Sequence, residues 1–568
     1  MGNKIYPIGI QNFESLRLDG YFYIDKTALI YQLVKSGRYY FLSRPRRFGK
    51  SLLISTLEAY FQGKKELFQG LAMEKLEKDW TKYPILHIDL NTQKYDSPQS
   101  LESKLNRTLV TWEKLYGNEP AEDSLSMRFE GTIQRAYEQT GQRVVILVDE
   151  YDKPMLQAIG NKELQNSFRE TLKAFYGALK SKDGCIKFAM LTGVTKFGKV
   201  SVFSDLNNLD DISMWNEYIE LCGISEKEIH KNLETELHEF ADVQKMTYDS
   251  FCEKLRQYYD GYHFTHNSIG MYNPFSLLNA FKRKEFGSYW FETGTPTYLV
   301  ELLKRHHYNL ERMAHEETNA QVLNSIDSES TSPIPVIYQS GYLTIKGYDE
   351  EFGIYHLGFP NKEVEEGFIQ FLVPYYTSMN KVESPFEIQK FVREIRSGDY
   401  NSFFQRLQSF FADTTYEIIR EQELHYENVL FIIFKLVGFY VKVEYHTSRG
   451  RIDLVLQTNK FIYIMEFKLN GTAEEALQPC NDRGRFILFI FFPVNILCQQ
   501  DNGTRGDEYF QEITAHIGGK RRKTVKKDIV EGELGTKIVP GNPSQYGYRN
   551  TMSEKGIPVL HRLEMPHK

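Results

Sequence analysis

The sequence predicts an α/β protein with a parallel sheet in its first half and a second, smaller α/β unit towards its C-terminus. Apolar runs at residues 41–44, 85–90, 144–148 and 187–192 are separated by stretches with helical spacing, which is typical of a parallel sheet covered on both faces. From residue 441 to 468 apolar and polar positions alternate, as they do in strands with one buried face. The length of 568 residues is enough for roughly two to four domains.

The bulk composition excludes several classes of protein. Hydrophobic residues at 41% and charged residues at 25% are typical of globular proteins, and 14% aromatic residues argue against wholesale disorder. A formal net charge of -6 provides no global basic field, so any nucleic-acid-binding surface has to be local. The 5 cysteines lie far apart without a CxxC pair, which disfavours a disulfide framework and a zinc ribbon.

The chain carries no pattern that indicates export or membrane insertion. Its start, MGNKIYPIGIQNF, lacks the apolar stretch of a secretory signal. The longest apolar runs, at residues 429–441 and 486–497, are shorter than the ~20 residues that cross a bilayer, and we interpret both as buried segments. We therefore expect a cytoplasmic protein without a membrane partner.

The segment RPRRFGKS, from Arg44 to Ser51, lies between a predicted strand and a predicted helix, where backbone N–H groups can receive phosphate oxygens. Lys50 would reach the β- and γ-phosphates, and the Ser51 hydroxyl would bind Mg²⁺. Asp149, at the end of the run VVILVDE, would supply the second contact to that ion, and Glu150 is the candidate base that orients a water. The pattern predicts ATP and Mg²⁺ as ligands. The alternative for GKS alone is a helix N-terminus without nucleotide.

Four motifs in the same order resemble a known family. They are YFYIDKT at residues 21–27, RPRRFGKS at 44–51, VVILVDEYDKP at 144–154 and LTGVTKFGKVSVFSDLNNLDDIS at 191–213. Together they closely resemble the AAA-ATPase-like proteins of bacteria and archaea, which pair a P-loop domain with a C-terminal PD-(D/E)XK nuclease-like domain. The resemblance covers about residues 5–480. The general P-loop motif has glycine where this chain has Arg44, but in that family the arginine-rich loop is usual.

The resemblance implies further site residues. Thr192 and Thr195 look like the polar sensor that follows the acidic strand in such ATPases, with a simple strand-end turn as the alternative. Asp152, Asp25 and Lys26 also match family motifs, without a chemical role that we can assign from the sequence. No arginine finger can be identified. The candidate nucleotide-binding residues are Arg47, Phe48, Gly49, Lys50, Ser51, Leu52, Asp149 and Thr192.

A pair of carboxylates is predicted near the C-terminus. If Asn459 and Lys460 form a two-residue turn, Asp453 lies opposite Glu466 and Arg451 opposite Lys468 on one face of a hairpin. Opposed Cβ atoms are ~5 Å apart, close enough for both carboxylates to hold one Mg²⁺ beside Lys468. Alternatively, Arg451 and Lys468 simply neutralise the two carboxylates in a surface charge network.

By the resemblance, GRIDLVL and YIMEFKL match the D…ExK core of the PD-(D/E)XK nuclease fold. Asp453, Glu466 and Lys468 are then candidate catalytic residues, with Asp453 and Glu466 as metal ligands. Glu423 or Glu427 is a candidate for a further acidic ligand. Beyond Asn481 the sequence does not look like the closing strands and helix of that fold, so we expect an atypical end to the domain.

The predicted fold class is therefore α/β with three parts and a tail. A P-loop NTPase parallel-sheet domain occupies residues 1–285, and a helical or winged-helix-like module occupies residues 286–380, with VIYQSGYLTI as two strand-like runs. A PD-(D/E)XK nuclease-like domain follows at 381–485. Residues 486–568, including the basic run KRRKTVKK, are expected to be a disordered tail.

These observations predict an ATPase that acts as a nucleotide-dependent switch on a C-terminal Mg²⁺-dependent nuclease-like domain, with DNA or RNA as the partner. The alternative function is an ATP-binding scaffold or regulator whose nuclease-like domain is catalytically inactive. The aromatic segment from Tyr258 to Phe264 fits base stacking or, more commonly, a packed junction between a helix and a turn. The sequence leaves open the biological process, the nucleic-acid substrate and the oligomeric state.

Overall fold

The computed structural model forms two compact units, Met1–Tyr308 with Arg312–Gly367, and Asn309–Glu311 with Phe368–Lys568. No described helix has both the length and the apolar character needed to span a bilayer. The residues that the structure describes are 4–196, 208–292, 298–323, 332–377, 384–409, 419–438, 442–448, 451–458, 462–468, 488–491, 550–552 and 558–560.

Strands occur in both units and are labelled in chain order. They are β1 (Tyr39–Ser43), β2 (Ile85–Asp89), β3 (Val144–Asp149), β4 (Ile186–Gly193), β5 (Asp210–Asp211), β6 (Ile224–Ser225), β7 (Met271–Tyr272), β8 (Glu316–Asn319), β9 (Thr344–Asp349), β10 (Ile354–Gly358), β11 (Lys442–Ser448), β12 (Arg451–Gln457), β13 (Ile462–Lys468), β14 (Leu488–Phe491), β15 (Asn550–Met552) and β16 (Pro558–Leu560).

The helices are also labelled in chain order. They are α1 (Phe13–Leu18), α2 (Thr27–Ser36), α3 (Lys50–Phe61), α4 (Ala72–Leu76), α5 (Pro98–Tyr116), α6 (Leu125–Thr140), α7 (Lys153–Gln157), α8 (Lys162–Tyr176), α9 (Ala178–Ser181), α10 (Glu226–Val243), α11 (Tyr248–Tyr259), α12 (Pro274–Arg283), α13 (Tyr289–Glu292), α14 (Tyr298–Arg305), α15 (Ala320–Leu323), α16 (Ile334–Gln339), α17 (Lys362–Tyr376), α18 (Ser384–Ser397), α19 (Tyr400–Ser409) and α20 (Ile419–Gly438).

The first unit is built on a five-stranded sheet with the order β2-β3-β4-β1-β5, in which every pairing is parallel. All residues of β1 and β3 are buried, because helices cover both faces of the sheet. The α/β class predicted from the apolar runs is confirmed. The carboxyl ends of β1, β3 and β4 meet at one edge, which is where open parallel sheets bind ligands.

Helix boundaries in this unit follow ordinary capping chemistry. The Ser124 hydroxyl accepts a hydrogen bond from the Met127 amide at the start of α6. Asn273 caps α12, and Pro274 takes the first helical position, where its missing N–H costs nothing. The second cap matters for the site, because it fixes the beginning of a helix that reaches the ligand edge.

The segment from α14 to β10, for which a helical or winged-helix-like module was predicted, combines short helices with a small antiparallel sheet. Its three strands pair antiparallel in the order β8-β10-β9, and α15 and α16 lie between β8 and β9 in the chain. The strand-like interpretation of the run VIYQ was wrong, because these residues belong to α16. Short apolar runs do not distinguish a buried helix from a buried strand; here the helix begins at Ile334, between Pro333 and Pro335, and Gly341 follows its C-cap residue Ser340 with a φ of 89°.

The aromatic segment at the end of α11 is a packed junction in this structure. Tyr259, Tyr262 and Phe264 are all buried, and the rings of Tyr262 and Phe264 lie 4.8 and 5.6 Å from the ring of Phe48. Since these rings form part of the core, they are not exposed for stacking on bases in this arrangement.

The second unit contains a four-stranded sheet with the order β11-β12-β13-β14. β11, β12 and β13 pair antiparallel, and β14 pairs parallel with β13. The expectation that the sequence beyond Asn481 supplies no closing strand is corrected here, because Leu488–Phe491 form β14. That apolar run of four residues is too short to show any helical spacing. Asn550–Met552 and Pro558–Leu560 also pair as strands within the expected tail, whereas the basic run at 520–527 lies outside the described residues.

Candidate functional site

The predicted phosphate-binding loop joins β1 to α3. Gly49 is the residue before the helix and has a φ of 96°, a left-handed conformation that glycine adopts without steric cost. Lys50 and Ser51 are the first two residues of α3, so their backbone N–H groups belong to the first turn, which has no partners within the helix. The turn is therefore shaped to present amides and a helix N-terminus to an anion.

The Lys50 ammonium group is buried within this loop, with 5% of the residue exposed. It donates hydrogen bonds to the backbone carbonyls of Arg44 at 2.9 Å and Pro45 at 3.1 Å. These carbonyls hold the ammonium group at the N-terminus of α3. Burial of this charge without hydrogen bonds would cost free energy. The cation thus lies beside the amides of the first helical turn.

Asp149 is the last residue of β3 and lies at the same edge of the sheet as the end of β1, where the loop begins. Its Oδ1 accepts hydrogen bonds from the Thr192 hydroxyl at 2.6 Å and from the Glu150 amide at 3.0 Å. Thr192 lies inside β4 and not in a turn, so the strand-end-turn alternative does not describe its position. The two bonds fix the orientation of a carboxylate that is a suitable ligand for Mg²⁺.

Glu150 adopts a left-handed backbone conformation with a φ of 51°, which is uncommon for a residue with a side chain. Its Oε2 lies 3.9 Å from the ammonium group of Lys153 at the start of α7. Both residues line the same cleft as Lys50. An unusual backbone at a cleft wall is a common feature of functional sites.

Asp152, for which the sequence suggested no role, holds the chain that follows β4. Its Oδ2 accepts three hydrogen bonds, from the Val194 amide at 3.0 Å and from the Thr195 amide and hydroxyl, both at 2.6 Å. The residue is 1% exposed, and burial raises the pKa of its carboxyl to about 6. Gly193 makes this approach feasible, since a Cβ there would lie 2.7 Å from the Asp152 Oδ1.

The other two unassigned motif residues lie in structural contacts. Asp25 accepts hydrogen bonds from the Thr27 amide at 2.8 Å and from the Ala72 amide at 2.7 Å, which joins the start of α2 to α4. Lys26 forms a 2.5 Å ion pair with Glu228 of α10. These contacts give Asp25 and Lys26 structural roles that do not require a part in catalysis.

A cleft of about 500 Å³ lies at this edge of the sheet. Four cationic side chains and two acidic ones line it, an excess of positive charge that suits a polyanion. They are Arg46, Arg47, Lys50, Lys153, Glu150 and Asp152. Residues 7–11 and the start of α12 complete its wall.

An apolar pocket of about 100 Å³ adjoins this cleft and shares Gly49 and Leu52 with it. Phe48 lines this pocket and not the charged cleft, and its ring packs on the aromatic core. The combination of a cationic cleft and an apolar pocket fits a ligand with a charged end and a flat hydrophobic end. ATP has this character, and the assignment of Ser51 and Asp149 as ligands of its Mg²⁺ stays a prediction.

The three loop arginines have different environments. Arg44 is 1% exposed and does not line the charged cleft, and burial lowers the pKa of its guanidinium to about 10. Arg46 and Arg47 do line the cleft, and burial together with the charge of Arg46 lowers the pKa of Arg47. The Arg47 guanidinium also lies 4.9 Å from the ring centroid of Phe275. Sequence reasoning did not select Arg46, although its place beside Arg47 in the loop was the available signal.

In the second unit, the backbone register is the one expected for the carboxylate pair. Asp453 of β12 pairs with Glu466 of β13, and Arg451 pairs with Lys468. The proposed turn at residues 459–460 and the side chains of these strands lie outside the described residues. Glu423 and Glu427 belong to α20, and their side chains lie outside the described part as well.

Comparisons with known proteins match both regions. The family described as predicted AAA-ATPase matches residues 7–203, and the PD-(D/E)XK nuclease superfamily matches residues 421–485. The first range contains the phosphate-binding loop and Asp149, and the second contains the paired positions of β12 and β13.

Similar proteins were found among both sequences and solved structures. An uncharacterized protein from the vnfD 5′ region of Azotobacter chroococcum mcd 1 is 35% identical over 500 residues, which are 85% of this chain and 93% of that protein. The ORC2 protein of Aeropyrum pernix, solved in ADPNP and ADP complexes, is 11% identical, with a TM-score of 0.22 over 63% of this chain and 92% of that one.

Proposed function

The chain belongs to the predicted AAA-ATPase family, and on that premise we propose that it binds and hydrolyses ATP as a nucleotide-dependent switch for its C-terminal domain. It has an AAA-ATPase-like domain and a PD-(D/E)XK nuclease-like domain. The proposed boundaries are 1–285 for the ATPase domain, 286–380 for the middle module and 381–485 for the nuclease-like domain, followed by a tail at 486–568.

One observation carries the ATP proposal. Lys50 and the first turn of α3 share one cleft with Glu150, and the carboxylate of Asp149, the residue before Glu150, is oriented by the Thr192 hydroxyl. A cation, free amides and an oriented carboxylate are what a magnesium-bound triphosphate needs. A helix N-terminus with a structural role would not require the acidic partners.

The roles follow from these positions. Lys50 and the amides around Gly49 would bind phosphate oxygens, while Ser51 and Asp149 would hold Mg²⁺, which when bound would neutralise developing charge on the phosphates. Thr192 keeps Asp149 oriented, and Glu150 accepts a proton from the attacking water. Arg47, Phe48 and Leu52 complete the binding surface, Arg47 on the phosphate side and the two apolar residues near the adjoining pocket.

For the C-terminal domain, we propose that Asp453 and Glu466 hold one Mg²⁺ next to Lys468, for cleavage of DNA or RNA. Support comes from the direct pairing of these positions between β12 and β13. Two carboxylates at one register position repel each other unless a cation compensates them. Lys468 would stabilise charge that develops on the scissile phosphate.

The test of nucleotide binding is calorimetry with ATP and Mg²⁺ on the full chain. We expect Lys50→Ala to lower the affinity at least about tenfold, because it removes a charge-assisted hydrogen bond to phosphate. Lys64→Ala is the matched control, since Lys64 forms a partly exposed ion pair with Glu14 and does not line the cleft, so the affinity should change less than about threefold. Absence of ATP binding to the wild-type chain, or affinity unchanged by Lys50→Ala, would refute the proposal.

A cleavage assay with DNA and RNA in Mg²⁺ or Mn²⁺ tests the second half. Cleavage that is lost in Asp453→Ala and Lys468→Ala, and retained in the exposed Lys390→Ala control, supports a nuclease. A folded protein that binds ATP and cleaves neither nucleic acid supports the scaffold or regulator instead.

A further inference from the structure

The helix α16 has an unexpected environment within the winged-helix-like segment. In helix-turn-helix proteins the second helix of the pair is the recognition helix, whose side chains enter the DNA major groove. α16 takes that place here, as the second helix between β8 and β9. Its residues Ile334, Val336, Ile337 and Gln339 are nevertheless buried. In this arrangement α16 is part of a protein core and presents no groove-reading face.

The turn that ends α16 packs directly on the phosphate-binding loop. Gly341 has a φ of 89°, and a Cβ at this position would lie 2.6 Å from the Cβ of Pro45. Only glycine allows both this backbone conformation and this close approach. The carbonyl of Arg46, the next loop residue, accepts hydrogen bonds from the Trp290 indole at 3.2 Å and from the Asn273 amide group at 3.4 Å. Contacts with neighbouring elements of the same unit therefore hold the loop in position.

Gln339, the last residue of α16, connects the helix to the segment that follows β4. Its Oε1 accepts a hydrogen bond from the Lys196 amide at 2.6 Å, and its Nε2 donates to the Leu323 carbonyl at 2.6 Å. Both ends of the amide are thus bonded, although the residue is only 5% exposed. Such a buried and fully bonded polar group specifies one geometry.

The segment from Thr192 to Lys196 is held on its other side by the acidic motif. Asp149 accepts from Thr192, and Asp152 accepts from Val194 and Thr195. If nucleotide and Mg²⁺ shift Asp149 or Asp152, the backbone of residues 192–196 would therefore transmit that shift to Gln339. The same stretch transmits a displacement of α16 back to the nucleotide cleft.

We propose that Gln339 is a positioning residue of the nucleotide site, through which ATP turnover depends on the docking of α16. The inference rests on the proposed ATPase function and assigns the winged-helix-like segment to nucleotide sensing instead of groove reading. Gln339 touches no nucleotide in this role; it fixes the Lys196 amide and thereby the position of Thr192 and Thr195.

The test compares two variants of Gln339 in the full chain. Gln339→Met has a similar volume and loses both the acceptor for the Lys196 amide and the donor to the Leu323 carbonyl, whereas Gln339→Glu keeps the acceptor and loses only the donor. For Gln339→Met we expect kcat to fall about tenfold, because a partly buried amide loses its acceptor, with the calorimetric affinity for ATP changed less than about threefold. Because Gln339→Glu keeps the acceptor for the Lys196 amide, it should retain more of kcat than Gln339→Met, whereas a general loss of packing at this position would lower kcat in both variants alike.

Amide hydrogen exchange gives a second readout that does not need turnover. Bound ATP should slow exchange of residues 192–196 and 334–343 together in the wild-type chain, and Gln339→Met should abolish the effect at 334–343. Unchanged kcat in a folded Gln339→Met variant, equal losses in both variants, or an ATP effect confined to residues 192–196 would overturn the inference. Absence of ATP binding in the wild type would instead refute the proposed function and remove the basis for this role.

Discussion

The two candidate sites of this protein are assembled in opposite ways. In the first unit, the phosphate-binding loop, Asp149 and Thr192 come from three separate strands, and they meet only because β1, β3 and β4 are neighbours in one parallel sheet. In the second unit, Asp453 and Glu466 meet because they occupy the same register position of a single hairpin.

This difference determines how each site should respond to amino-acid substitutions. The hairpin pair depends on local register, which alternation of apolar residues specifies strongly. The nucleotide cleft depends on the approach of distant loops, so substitutions that contact no ligand can displace its side chains. Three predictions test the chemistry of the nucleotide cleft and the packing that shapes it, from the largest expected effect to the smallest.

The largest effect is expected at Glu150. Glu150→Gln should lower kcat for ATP hydrolysis by about 100-fold, because it removes the general base while keeping the shape of the side chain. The affinity for ATP should change little. Steady-state turnover and calorimetry measure the two quantities, with the exposed Glu163→Gln as the matched control. A Glu150→Gln variant with wild-type kcat would exclude Glu150 as the base.

Gly193 tests the approach of the two loops without touching the proposed ligand. A Cβ at this position would lie 2.7 Å from both the Asp152 Oδ1 and the Tyr151 ring. Gly193→Ala should lower the free energy of unfolding of the first unit by about 1–3 kcal/mol through overpacking. At Gly184 an added Cβ meets nothing within 4 Å, so Gly184→Ala is the matched control.

Urea unfolding followed by tryptophan fluorescence measures this difference. All 4 tryptophans lie in the first unit, at positions 80, 112, 215 and 290, so the signal reports on that unit alone. Equal unfolding free energies for Gly193→Ala and Gly184→Ala would show that the loops are not held as closely as described.

The smallest effect concerns the pH dependence contributed by Asp152. Burial raises the pKa of its carboxyl from 3.8 to about 6, so the folded protein binds a proton that the unfolded chain has already released. The stabilisation from this group is fully present below pH 3.8 and is lost as the pH rises through 6. Between pH 5 and 6.5 this loss amounts to about 1 kcal/mol.

Asp152→Asn should remove this contribution while keeping an oxygen acceptor for Thr195. Its unfolding free energy, measured with the same fluorescence signal, should decline less between pH 5 and 6.5 than that of the wild-type protein. An identical pH dependence in the two proteins would contradict a raised pKa at this position.

Several parts of the structure were accessible from the sequence because they depend on local patterns. The strand, loop and helix around Gly49 follow from an apolar run, a glycine and helical spacing. The pairing of Asp453 with Glu466 follows from counting residues on either side of a turn. The family motifs added Thr192, whose bond to Asp149 no pattern of spacing would reveal.

Other parts depend on long-range packing and were missed. The run VIYQ of α16 was interpreted as a strand because it is short and buried on nearly all sides. Such a run shows no helical periodicity of apolar and polar residues. The contacts of Asp152 exist only where the ends of β3 and β4 meet, and strand order is not encoded in any local pattern. β14 was missed because its run of four residues carries no alternation.

Arg44 has a consequence for protein engineering. Its guanidinium donates hydrogen bonds to the carbonyls of Ser213 at 2.7 Å and Tyr218 at 3.4 Å, and it lies 4.0 Å from the ring centroid of Phe264. Arg44 therefore connects the start of the phosphate-binding loop to residues 213–218, which are distant in the sequence. Replacing it with the glycine of the general motif would deprive these carbonyls and that of Ser43 of a donor and leave a cavity beside the ring. Consensus design at this position would therefore weaken the protein it was meant to improve.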